Sequence, residues 1–121
     1  MALYYNLPVY KDSYDLMLHL FLQTKSLPKE YKYTIGEKLK NEALSLIIAI
    51  YETTKLQQQE KVAAIEKARA YLEIIRLLVR ILKDLKIWSL KTIVLLNTKI
   101  ETISKQLSKW VVYCQSLLVS N

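Results

Sequence analysis

Basic side chains at helical spacing are the residues of this chain best equipped for chemistry. Arg69, Glu73, Arg76, Arg80 and Lys83 follow one another at intervals of four and three, the period of a single helix face. Lys86, Lys91, Lys99, Lys105 and Lys109 follow further along the chain, and Asp84 and Glu101 are the only acids between residues 76 and 109. Guanidinium and ammonium groups in such an array suit the phosphates of a polyanion. A plainer account competes with that one: Arg76 and Arg80 lie three and seven residues beyond Glu73, so they could form a surface ion-pair ladder worth roughly a few tenths of a kcal/mol per pair. On the same account the lysines keep an apolar protein in solution.

Charge distribution favours the polyanion. Residues 1–54 hold six Lys and six acids, whereas residues 55–121 hold twelve Lys or Arg against five acids, so the whole +7 belongs to the second half. Catalytic inventories are thin by comparison. His19, the only histidine, sits between Leu18 and Leu20 with no second His or Cys at ligand spacing, and the inward Glu and Glu-x-x-His pairs of a bundle metal site are missing. Cys114 falls on an apolar stripe as a small hydrophobe, and a single Gly cannot write a phosphate-cradling loop. Neither an enzyme nor a metal or cofactor site is expected.

Four helices must position these groups. With 121 residues, 52% hydrophobic content, one Gly and two Pro, the chain reads as one all-α domain, 1–121, with helices near 9–25, 32–54, 58–86 and 89–118. Tyr10, Tyr14, Met17 and Phe21 mark the inner face of the first helix, and Ile35, Leu39, Ala43, Leu46 and Ile50 that of the second. In the third, Ala64, Ala68, Tyr71, Ile75, Leu78, Leu82 and Leu85 alternate by four and three. The fourth carries Ile93, Leu96, Ile100, Ile103, Leu107, Trp110, Cys114 and Leu117, with Ser89 as its N-cap. Short connections between such helices predict an antiparallel up-down-up-down four-helix bundle.

Other features extend the reading. Leu72, Ile74, Leu77, Val79 and Ile81 spread apolar surface around the third helix beyond one seam, which predicts self-association into a closed oligomer. Tyr10, Tyr14, Tyr71 and Trp110 are expected in the core, Trp88 at the end of the bundle, and Tyr31 and Tyr33 near a loop beside Lys32. The richest apolar run, Tyr71 to Leu85, is broken by five charged residues and cannot span a bilayer. The opening residues lack the charged leader and apolar run of a secretory signal, so a cytoplasmic location is expected.

The run E-I-I-R-L-L-V-R-I-L-K-D-L (Glu73 to Leu85), the later I-S-K-Q-L-S-K-W-V (Ile103 to Val111), and the earlier Y-D-L-M-L (Tyr14 to Leu18) with S-L-P-K (Ser26 to Lys29) resemble the accessory variability determinant proteins of bacterial diversity-generating retroelements. They also look like the wider four-helix-bundle group encoded in intervening sequences of large-subunit ribosomal RNA genes. The first resemblance implies a homopentameric barrel whose basic surface binds a reverse transcriptase and its template RNA or RNA/DNA hybrid during mutagenic copying, the chemistry belonging to the polymerase. Matched to the family's arginine-bearing third helix, Arg76 and Arg80 become the first contact candidates, and Trp110 matches the aromatic of the terminal motif. Ser104, Ser108 and Lys109 stand where that motif usually has glycines. Two other readings stand beside it: a structural bundle whose basic face meets an acidic protein, and membrane-surface binding through the fourth helix, whose apolar face the bundle core requires.

Overall fold

The structure, a computed structural model, describes residues 4–119, and among them every regular element is helical. Four long helices, α1 (Pro8–Thr24), α2 (Glu37–Thr53), α3 (Gln58–Asp84) and α4 (Leu90–Val119), form a helical bundle in which α1 and α3 each pack against both α2 and α4. A short 3-10 turn, Tyr4–Asn6, precedes α1, and Pro8 occupies its first turn, where a missing N–H costs nothing. Among the described residues no helix is long and apolar enough to cross a membrane.

Periodicity explains the core. Leu39, Leu46 and Ile50 of α2, Ile65, Leu72, Ile75 and Leu82 of α3, and Leu96, Ile100, Ile103 and Leu107 of α4 are fully buried around Leu16 and Leu20 of α1. Each buried Leu or Ile contributes about 1.5–3 kcal/mol relative to an exposed one, and this sum holds the helices together. The α4 stripe read from the sequence is buried from Ile93 to Leu107 and again at Cys114, with Trp110 and Leu117 half-buried at its margin.

Two expectations about faces are corrected. The inward face of α1 is Val9, Ser13, Leu16, Leu20 and Thr24, one residue out of step with the aromatic stripe. Tyr14 is exposed, and Tyr10, Met17 and Phe21 are half-buried on the flank towards α2, where Lys40 lies 5.8 Å from the Phe21 ring centre. Polar Ser13 and Thr24 disguise the true stripe; Thr24 satisfies its hydroxyl by donating to the Phe21 carbonyl at 3.1 Å. Tyr71 and Trp110 are likewise half-buried against the core and not within it.

On α3 the strict four-three seam drifts, because a straight helix turns by 3.6 residues and loses about 20° per heptad against that repeat. Leu72 and Val79 therefore join the core, Ala64 and Tyr71 are half-buried, and Leu85 is exposed. Of the five residues expected to form a second apolar face, only Leu77 is fully on the surface.

The connections are tight. A helical turn, Lys29–Tyr31, passes into a five-residue π-helical stretch, Lys32–Gly36, that leads directly into α2. A Cβ on Gly36 would stand 3.1 Å from Leu27 Cδ1 and 3.3 Å from the Tyr31 carbonyl oxygen, so the chain's one glycine lets this stretch press on the α1–α2 connection.

Candidate nucleic-acid interface

The α3–α4 joint is built by local rules. Leu85 ends α3, and Lys86 takes a left-handed conformation with φ 58°. Its N–H donates to the Lys83 carbonyl at 2.9 Å, and Ile87 N–H donates to the Leu82 carbonyl at 3.0 Å, the paired bonds of a Schellman ending. Trp88 is buried beside it, and Ser89 caps α4 by accepting from the Thr92 N–H at 3.2 Å. Lys83, Lys86 and Lys91 are thereby held on a short rigid corner.

Between α3 and α4 runs an open groove of about 790 Å³. Its charged lining is mixed: Arg76, Arg80 and Lys83 face Glu73, Asp84 and Glu101 around apolar Leu77 and Val94. Arg76 is clamped across the groove, its Nη1 lying 2.9 Å from Glu101 Oε2 and its Nε 3.2 Å from Glu73 Oε1. Burial works against the Arg76 charge, but the hydrogen bond that Arg76 donates to Glu101 and the charges of both glutamates override it and hold the guanidinium above its usual range. Arg80 is 3.7 Å from Asp84 with both side chains largely in solvent, a weak pairing.

The nine basic residues singled out from the sequence divide into two sets. Arg69, Arg76, Arg80 and Lys99 each hold an acid: Arg69 meets Glu66 at 2.7 Å, and Lys99 leaves the basic face altogether to meet Asp15 of α1 at 2.6 Å. Lys83, Lys86, Lys91, Lys105 and Lys109 are exposed and have no ion-pair partner among the described residues. Lys91, Lys105 and Lys109 recur on one outer face of α4, with exposed Val94, Leu95, Val112 and Tyr113 around them. Of these nine, the free charge therefore lies at the joint and on the outer face of α4, while of the two arginines rated first by sequence Arg76 is engaged and Arg80 is only weakly paired.

Sequence reading missed the α1–α4 tie. Besides the Lys99–Asp15 pair, Gln106 Nε2 donates to Asp12 Oδ2 at 2.8 Å. The signal was present, since Asp12 and Asp15 share one turn of α1, and Lys99 and Gln106 lie seven residues apart on α4.

A family model described as bAvd-like matches residues 9–114, which takes in all of α2 and α3 and most of α1 and α4. No curated protein matches the chain.

Proposed function

The chain belongs to the bAvd-like family, the bacterial accessory variability determinant family, and from that premise we propose that it is a non-catalytic accessory of a diversity-generating retroelement. In this reading it works in the cytoplasm, binding a reverse transcriptase and its template RNA or RNA/DNA hybrid and supporting mutagenic copying while the polymerase performs the chemistry. The observation that carries it is the set of free lysines, Lys83, Lys86, Lys91, Lys105 and Lys109, displayed on a rigid corner and one helix face. Ammonium groups without internal partners remain available to displace counterions from a phosphate backbone.

The reading includes an antiparallel up-down-up-down topology and a homopentameric barrel. Short connections between successive long helices favour the first. Exposed Leu22, Ile48 and Leu77, on α1, α2 and α3, favour the second, because an assembly would take that apolar area out of water. Gathering several copies would also multiply the basic faces and raise avidity for one strand.

Fluorescence anisotropy of a labelled structured RNA, titrated between low and near-physiological salt, tests the reading. Binding that falls steeply with salt is the expected result, with about 0.7–0.9 added to the logarithmic slope per neutralised phosphate. Absence of binding at low salt would contradict it. The mixed lining of the α3–α4 groove favours one second reading, in which that groove holds a protein segment carrying both signs of charge and the chain acts as an adaptor on the polymerase.

A further inference from the structure

Away from the basic corner, a hollow of about 370 Å³ is lined by Tyr5, Tyr10, Lys11 and Tyr14. Its rings are braced from behind by Tyr4, which makes edge-to-face contacts with Tyr5 at 5.5 Å, Tyr10 at 5.1 Å and Tyr51 of α2 at 4.8 Å. Lys55 adds a cation 5.5 Å from the Tyr51 ring centre. Despite this bracing, Tyr5 remains 50% exposed and Tyr14 44% exposed, so ordered aromatic faces are left towards solvent.

The charge around the hollow is one-sided. Lys11 is its only charged lining residue, and the adjacent acids Asp12 and Asp15 turn to α4, where Gln106 and Lys99 engage them. Burial, with Tyr4 and Tyr14 nearby, pushes the Tyr10 phenol above its ordinary pKa. Flat aromatic surface beside a lone ammonium suits a ligand that is planar at one end and anionic at the other; an aromatic cage for a cationic ligand would not carry Lys11 in its wall.

We propose that this hollow is a stacking site for an unpaired base of a single-stranded nucleic acid, with Lys11 meeting a flanking phosphate. The inference shares with the proposed function the premise that the ligand is nucleic acid, but its contacts belong to α1 and the turn before it and not to the α3–α4 corner. Stacking is indifferent to base identity, so the site would hold single strands without reading their sequence.

The test compares two short single-stranded oligomers of equal length and charge, one of thymidines and one abasic, titrated into the full chain. The base-bearing strand is expected to bind at least tenfold tighter, about 1.4 kcal/mol and within the span of one stacked base. Combined Tyr5→Ala and Tyr14→Ala substitution should remove that preference and leave the abasic affinity unchanged, with circular dichroism verifying the helices; Tyr5→Phe with Tyr14→Phe should retain it. Equal binding of the two oligomers by the unsubstituted chain would overturn the proposal, as would a preference that survives the double alanine change. Lys105→Glu with Lys109→Glu should weaken both oligomers alike without altering their ratio, so failure of the basic face and failure of the hollow are read separately.

Discussion

On α2, Lys38 holds Glu42 at 2.8 Å and Lys40 holds Glu37 at 3.3 Å, whereas on α4 Lys91, Lys105 and Lys109 hold no acid. Residues 1–54 match six lysines with six acids in number, and although Lys11, Lys25, Lys29 and Lys32 hold no acid among the described residues, no excess of charge builds up there. The second half carries all the net charge, yet spends part of its basic inventory internally: Lys99 crosses to Asp15, and Arg76 is taken by Glu101 and Glu73. The difference teaches that a count of charges locates a basic half, while the pairings decide which of its charges are free for a partner.

The largest effect should come from the core that both halves share. Ile103→Asp places a carboxylate where the side chain has no exposure, adding a desolvation penalty to an Ile truncation that alone costs about 2–5 kcal/mol. Against a total stability of roughly 5–15 kcal/mol this should unfold the chain, seen as loss of the helical circular dichroism signal. Next comes binding. Lys105→Glu with Lys109→Glu should lower polyanion affinity by tenfold or more while the thermal midpoint stays nearly fixed, because neither lysine has an internal partner.

Local changes at the joint should be smaller and opposite in sign. Ser89→Ala removes the cap of α4 and should cost about 1 kcal/mol, whereas Lys86→Gly relieves a left-handed conformation and should stabilise by about 1 kcal/mol; thermal unfolding reads both. Smallest of all, Glu101→Gln should cost under about 1 kcal/mol, since the clamp on Arg76 is part-exposed and screened, while freeing Arg76 for an anion. A rise in polyanion affinity in this variant would place Arg76 among the contact residues; unchanged affinity would leave it a strut between α3 and α4.

Much of the fold was legible because apolar spacing is strict where helices are buried on one face. The α4 stripe and the α2 stripe needed no correction in their central turns, and Ser89 announced its cap by residue type. Where side chains reach sideways, spacing misled: Tyr10, Tyr14, Met17 and Phe21 repeat as regularly as the true α1 face, and only packing shows that Ser13 and Thr24 belong inside. The left-handed Lys86 gave no sign, because that conformation usually calls for Gly or Asn. For the candidate site, the sequence located the basic half and offered nine of its twelve basic residues as candidates, but not their division, since Lys99–Asp15 and Arg76–Glu101 join residues far apart in the chain.

Whether the unpaired lysines of the α3–α4 corner and outer α4 face meet phosphates is decided by the salt slope of RNA binding. That slope should be measured for the unsubstituted chain, for Lys105→Gln with Lys109→Gln, and for Arg69→Gln, whose side chain is already held by Glu66. If they do, substituting the lysine pair lowers the slope by about 1.4–1.8 and the arginine change leaves it unaltered. An unchanged slope in the lysine variant would contradict phosphate contact and hand the basic face back to solubility.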